Sequence, residues 1–341
     1  MLVLIPIAVV LRMAGAEPAA VFLVSSAAII PLAGLMGRAT EDLARQAGPG
    51  IGGLLNVTFG NATELIIALV ALQAGLVDVV KASLTGSVIG NLLLVLGLSM
   101  LAGGLRRKEQ KFSVRAAGTY NSLMVIALIG MTIPALFFYA GGSELARQNA
   151  SIGVSVLLLA VYALAMVFSL HTHRHIFNPM ADEHDAPAGW SRQKSILVLG
   201  ASAALVAVLS DILVGSVEGA ASSLGLSDLF IGVVIVAIIG NAAEHGVAVS
   251  VAMRDKMDLS FAIATGSSAQ VALFVAPLLV LAGQVIGRPM DLFFEVFELA
   301  AMGLAVAAVI MVSQDGESNW FEGSMLLSVY LMMGIVFFLH P

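Results

Sequence analysis

Apolar residues run along this chain in blocks of 13 to 25, broken by short clusters of Gly, Pro and charged residues. The blocks lack the period-2 alternation that a membrane strand requires. About 20 helical residues cross a hydrocarbon core of about 30 Å, so the blocks read as membrane helices. Eleven spans are predicted, at 2–14, 19–37, 50–74, 80–104, 116–139, 152–170, 195–215, 230–253, 259–283, 290–312 and 321–340. The apolar start, residues 1–11, has neither a basic beginning nor a small-residue cleavage site. It is read as a short first helix rather than a signal peptide.

The polar residues inside these blocks carry a second order. Residues 60–101 align without a gap onto 240–281, at a constant offset of 180. The first copy begins GNATELI and the second GNAAEHG; each continues to an Asp (Asp78, Asp258) and then to TGS. Leu, Val and Ala match by chance in greasy segments. Gly, Asn, Glu, Asp, Thr and Ser do not, and they persist there only where they work. A polar signature duplicated inside hydrophobic helices points to a transporter with its site at the interface of two repeats.

Composition narrows the class. Of 341 residues, 59% are hydrophobic and 11% charged, with a mean hydropathy of +1.00, which excludes a soluble domain. There is no Cys, so disulfides and thiolate metal sites are excluded. The net charge of −6 says little about partners, and nothing points to nucleic acid.

The distribution of charge says more. With the N-terminus in the cytoplasm, the inward loops hold Arg38, Arg45, five basic residues between Arg106 and Arg115, Arg174, Arg192, Lys194, Arg254 and Lys256. The outward loops hold only Lys81, Arg147 and Arg288. This positive-inside bias sets the orientation and an even number of spans before His171.

The expected fold is therefore an all-α polytopic membrane protein of about eleven helices. It comprises an N-terminal helix (1–14), a five-helix repeat (15–170), a polar cytoplasmic linker (171–194) and a second five-helix repeat (195–341). Five is odd, so the second repeat enters the membrane inverted.

Glu64 and Glu244 fall mid-span, where a lone ionised carboxylate costs about 2.5–3.5 kcal/mol. Such a residue is neutral, paired or bound to a cation, and two at equivalent positions weaken the structural explanation. Asn61 and Asn241 each lie three residues before the glutamate and share its helix face. Gly60 and Gly240 permit local unwinding that frees backbone carbonyls, and Gly86 and Gly266 mark the TGS segments. Ser87, Asn91, Ser267, Ser268 and Gln270 add oxygen donors, with helix–helix hydrogen bonding as their alternative role. Carboxylate, amide and hydroxyl oxygens suit a hard cation such as calcium better than zinc or copper. Two carboxylates are neutral with one divalent cation or with two protons, whereas the empty site carries −2. Such a site supports strict exchange rather than leak.

These residues also resemble a known family. The paired GNATELI and GNAAEH segments, each followed by TGS, are similar to the calcium/proton antiporters (cation/proton exchangers) of the calcium/cation antiporter superfamily. So are IIPLAGLMGRATEDLA (29–44), GGLLNVTFGNATELI (52–66), THRHIF (172–177) and GSSAQVALFVAP (266–277). The resemblance implies eleven helices with two inverted repeats, and calcium held by Glu64 and Glu244 with Asn, Ser and Gln support. Sodium-coupled members carry Pro before each glutamate. Here Thr63 and Ala243 stand there, which favours protons. The acidic linker residues Asp182, Glu183 and Asp185 are fewer than the family's longer acidic helix, so calcium sensing is not assigned to them.

Further candidates are Glu41 and Glu218, placed by inversion at opposite mouths, with a solvated helix end as the alternative. Glu298 is favoured by the resemblance as a pathway residue, and Glu295 and Asp211 as bystanders. His245 breaks the symmetry with Leu65 and reads either as a packed neutral ring or as a proton-linked gate. The HTHRH cluster (171–175) reads as an interfacial anchor.

The expected function is a secondary transporter trading cytoplasmic Ca2+ for protons. No enzyme activity or bound cofactor is expected, and the partners are Ca2+, H+, the bilayer and a possible second copy of itself. The rivals are a sodium-coupled exchanger, a cation channel, which the inverted repeat argues against, and a membrane metalloprotease, whose HExxH motif is absent. The lack of a long N-terminal extension suggests a prokaryotic plasma membrane.

Overall fold

Hydrocarbon offers no water to backbone amides, so a chain this apolar satisfies them within helices. The computed structural model describes residues 2–141, 143–177 and 189–340, with the backbone alone over most of 48–57. Among the described residues, eight helices are long and apolar enough to cross a membrane, and three shorter apolar helices accompany them. In chain order these are α1 (Leu4–Met13), α2 (Pro18–Gly60), α3 (Ala62–Ala74), α4 (Val77–Gly104), α5 (Val114–Tyr139) and α6 (Glu144–Thr172). There follow α7 (Arg192–Val214), α8 (Asp228–Met253), α9 (Met257–Ile286), α10 (Val296–Val312) and α11 (Trp320–Leu339). They match the eleven predicted spans in order, with three differences.

The first difference is the connection expected at 38–49. It is helical, and α2 is a single run of 43 residues. Straight, such a run would be about 65 Å long, roughly twice the hydrocarbon core. It is not straight: a Cβ on Gly52 would strike the backbone of Ala44. A straight helix would hold those two residues about 12 Å apart, so the run bends sharply between them. The arm Pro18–Ala47 is the second span. The trailing arm passes a break at Asn61 (φ −94°, ψ 21°) and continues as α3 to complete the third.

The second difference lies before α10. Residues 290–295 are not helical, although Met290, Leu292 and Phe294 are buried. Glu295 caps the helix, and its backbone N–H donates to Glu298 Oε2 at 3.0 Å in a capping box that fixes the start at Val296. The third is α1, whose 10 residues cover about 15 Å, half the hydrocarbon thickness.

The connections segregate as an inverted repeat demands. On one face, Arg107 pairs with Asp255 at 3.4 Å and Gln110 Nε2 donates to the Ala252 carbonyl at 2.9 Å. Gln110–Lys111 pairs antiparallel with Glu317–Ser318 on this face. Here too the Trp190 N–H donates to Asp42 Oδ2 at 3.0 Å, and the Trp190 ring lies between Arg38 (4.4 Å) and Lys194 (4.7 Å). We call this the basic face. The acidic linker residues Asp182, Glu183 and Asp185 lie outside the described residues.

On the opposite face, Lys81 Nζ reaches Asp291 Oδ1 at 2.5 Å and the Phe293 carbonyl at 2.7 Å. Arg147 Nε lies 3.0 Å from Asp291 Oδ2. These contacts bind α4, α6 and the lead-in to α10 into one frame.

Two further irregularities obey the repeat. Gly90–Val95 in α4 and Val271–Val275 in α9 are π-helical, and they occupy equivalent positions at the 180-residue offset. Each adds a residue to its helix just after the TGS segment, where the site is built.

Asp291 stands between two cations that are only 13% and 18% exposed. Removing its charge leaves Lys81 without an ion pair among the described residues and Arg147 with Glu144 alone, at a cost of about 3 kcal/mol. Asp291→Asn should therefore lower the thermal stability of the detergent-solubilised protein clearly. Asp255→Asn, at a pair 31% and 56% exposed, should cost less than about 1 kcal/mol. Equal melting temperatures for the two variants would remove this assignment.

Candidate functional site

The site forms where α3 and α8 cross, flanked by α4 and α9. The two helices meet at their motif glycines, where a Cβ would make ordinary contact with the other repeat. A Cβ on Gly60 would lie 3.6 Å from Glu244 Oε1 and 3.7 Å from Gln270 Oε1. A Cβ on Gly240 would lie 3.7 Å from Glu64 Cβ. Each motif glycine therefore seats the glutamate of the other repeat. The backbone unwinds at one of the two: the helix breaks at Asn61, just after Gly60, but α8 runs unbroken past Gly240. The irregular turn of α8 is a π-helical stretch at Ile231–Val236. The unwinding expected at Gly240 is absent because the i→i−4 ladder is complete there.

Two hydrogen-bonded chains flank the glutamates, and one of them ends on Glu64. In one, the Asn241 side-chain amide donates to Ser87 Oγ at 3.0 Å, and Ser87 in turn donates to Glu64 Oε1. In the other, Ser267 Oγ donates to Asn61 Oδ1 at 3.0 Å, and Asn61 Nδ2 donates to Gln270 Oε1 at 2.6 Å. Ser267 also neighbours Glu244, as its repeat mate Ser87 neighbours Glu64. Glu64 is only 4% exposed.

After these bonds are made, Glu64 Oε2, Glu244 Oε2 and Asn91 Nδ2 remain buried without a partner among the described residues. Buried polar atoms normally find one, so two unpaired carboxylate oxygens in one pocket mark a place for a ligand of positive charge. Two carboxylates with amide and hydroxyl oxygens around them fit a hard divalent cation, or two protons in its place. No group of three or more His, Cys, Asp or Glu side chains with metal-holding geometry occurs among the described residues. The donor set therefore relies on neutral oxygens beyond the pair.

Toward the face opposite the basic one, the Glu64 side of α3 continues through Ile67, Ala68 and Ala71, and the Glu244 side of α8 through Ala237, Val236 and Val233, all buried. Toward the basic face, Val247 is 45% exposed, whereas Ala248, also one turn after Glu244, and Val251 are buried. The site is closed toward the face opposite the basic one, and on the basic side Val247 is the exposed side chain nearest to it along α8.

The remaining candidates fall elsewhere. His245 Nε2 lies 3.0 Å from Asn91 Oδ1, forming a separate pair beside the site. Ser268 donates to the carbonyls of Ala264 and Val88, a helix–helix contact. Glu298 is buried, but both its oxygens are occupied, Oε1 by Thr85 Oγ1 at 3.0 Å and Oε2 by the Glu295 N–H. Glu41 and Glu218 are exposed at opposite faces, away from the pair. Glu218 lines an open cleft of about 580 Å³ with Ser222, Ser227 and Asp228. Gly86 lies against the backbone of Val233, and Gly266 against Tyr120.

Sequence reasoning missed Thr85, Tyr120 and the Lys81–Asp291–Arg147 frame. For the frame a signal existed: isolated opposite charges at span ends that parity assigns to one face. For Tyr120, among several aromatic residues in the spans, there was none.

The sodium/calcium exchanger protein family model matches residues 18–171 and 194–339. A Ca(2+)/H(+) antiporter of Synechocystis is 46% identical over all of this chain and 96% of its own length. The Ca(2+)/H(+) antiporter ChaA of Bacillus subtilis is 46% identical over 98% of this chain and 96% of its own. Among solved structures, native YfkE superposes with a TM-score of 0.87 at 43% identity, covering 98% of this chain and 97% of that one. With full-length relatives of this similarity and a family match through both repeats, the chain belongs to the sodium/calcium exchanger protein family.

Proposed function

We infer that this protein is a secondary transporter that exchanges Ca2+ for protons by alternating access at Glu64 and Glu244. One observation carries the reading. Two glutamates at equivalent repeat positions are seated over each other's glycines, and each keeps a buried carboxylate oxygen without a partner. The antiporters at 46% identity support the choice of ions.

The mechanism follows from charge. The empty pair carries −2 in a medium of low dielectric, so moving the pocket's opening from one face to the other is unfavourable without a cargo. One Ca2+ or two protons neutralise it equally. Either cargo lets the helices repack around the site, and neither crosses without the other returning. Ser87 orients one oxygen of Glu64 and leaves the second for the ion, and Ser267 lies beside Glu244. Thr63, before Glu64, is spent on Met36 Sδ at 3.7 Å, and Ala243 offers no donor.

The basic face is assigned to the cytoplasm on the positive-inside rule, with the linker at 171–194 on that side. The protein is placed in a prokaryotic plasma membrane, in keeping with its relatives from Synechocystis and Bacillus. The two working units are the halves 15–170 and 195–341. No covalent chemistry is assigned to either.

Glu64→Gln and Glu244→Gln should each reduce pH-gradient-driven Ca2+ uptake into inverted vesicles by at least about 100-fold at equal expression, since each removes an interaction with a charged ligand. Full transport by both would remove the central assignment. Ser87→Ala takes away the donor to Glu64 and should weaken apparent Ca2+ affinity about tenfold, with folding intact. A sodium gradient in place of the pH gradient should drive no Ca2+ flux. If it does so at a comparable rate, the sodium-coupled reading replaces this one.

A further inference from the structure

The two repeats are equal in sequence at one pair of glycines and unequal in what those glycines touch. On the closed side of the site, α4 and α8 interlock through two notches. Gly86 presses on the carbonyl of Val233 with no room for a Cβ. Gly232 lies against Ala82, with a Cβ position 3.1 Å from the Val79 carbonyl and 3.3 Å from the Ser83 amide. At the 180-residue offset the mates of these residues are Gly266 for Gly86, Gly53 for Val233, Gly52 for Gly232 and Ala262 for Ala82. Every mate is small, so α9 and the trailing arm of α2 have the residues to build the same interlock on the basic side. They have not built it here. The atoms nearest the Cβ position of Gly266 are Tyr120 Cε1, Cζ and the hydroxyl oxygen, at 3.4, 3.8 and 3.8 Å, and Gly52 packs on Ala44 instead.

We propose that Tyr120 is the gate residue of the basic-side mouth: its ring fills the notch over Gly266 that the backbone at residue 53 occupies when that mouth closes. The ring sits edge-on to Phe177, with centroids 5.7 Å apart, which holds it against α9. Gly266 directly precedes Ser267, so whatever fills the notch adjoins the cation site. Closure of the basic side then requires Tyr120 to leave and Gly266 to meet backbone, while Gly86 and Val233 part on the other side. The two glycines are the same joint made alternately. This inference rests on the alternating-access reading above.

A single methyl group separates the two joints. Gly266→Ala fits the present state, where its Cβ would make ordinary contact with Tyr120, but it blocks the interlock that would close the basic side. Gly86→Ala does not fit the present state, because its Cβ would strike the Val233 backbone. The chain has no native Cys, so a single Cys at Val247 reports the opening when treated with a membrane-impermeant maleimide from the basic side. The expected result is labelling at or above the parental rate for Gly266→Ala, with transport lost. Gly86→Ala should label about tenfold more slowly, the shift that over-packing by one methyl group produces.

Tyr120→Ala empties the notch and should slow labelling, while Tyr120→Phe should behave as the parent, since the argument concerns shape. These two arms stand if Gly86→Ala fails to express. Parental transport by Gly266→Ala, or lost transport in Tyr120→Phe, would overturn the proposal, the latter in favour of a role for the hydroxyl. Labelling uses no calcium flux. A failed gate therefore stays distinct from a failed exchanger, which the gradient-driven uptake of the Val247→Cys parent reports.

Discussion

Two carboxylates share one dry pocket, and most of the architecture serves to make that tolerable. Like charges in a low dielectric repel, and each also loses its hydration. The protein answers with position. α3 and α8 meet at Gly60 and Gly240, so that the Glu244 carboxyl lies over Gly60 and the stem of Glu64 lies over Gly240. Ser87, braced by Asn241, supplies its hydroxyl to Glu64, while Ser267, which donates to Asn61, lies beside Glu244. What these donors leave over, one oxygen on each glutamate, is what an ion completes. The pair is therefore a binding site because its own scaffold leaves it incomplete.

A symmetric sequence yields an asymmetric molecule for a simple reason. Two interlocking faces of one kind exist, one per repeat, yet both cannot be closed while the site still exchanges its contents. In the state described, the interlock is made between α4 and α8, and its counterpart between α9 and α2 is replaced by an aromatic ring. The break at Asn61 and the unbroken ladder through Gly240 express the same inequality in the backbone. Residues without mates sharpen it. Gln270 and the His245–Asn91 pair occur once each, so the site is polar in different ways on its two sides.

Around this moving part stands a frame. Asp291 gathers Lys81 and Arg147 at one face, while Asp255, Gln110 and the short strand pair at 110–111 and 317–318 tie the other. Glu298 belongs to the frame by its contacts. It caps the start of α10 and accepts from Thr85, two residues before Ser87. A buried carboxylate with both oxygens occupied differs in kind from Glu64 and Glu244, although all three look alike in sequence.

The sequence by itself determined the class, the eleven spans in order and the inversion, and it singled out the polar residues of the two repeated segments. Those features rest on composition, on period and on a repeat with a fixed offset, each of which is local or nearly so. Tertiary structure alone decided which of those residues touch. It bent 18–60 sharply, delayed α10 to Val296 and paired Asn61 with Gln270 rather than with its own repeat mate. It also set Tyr120 over Gly266. The reason is physical: hydrophobic pattern says which segments leave water, but which side chains share a pocket depends on helix crossings between residues some 200 apart in the chain, such as Asn61 and Gln270, 209 apart.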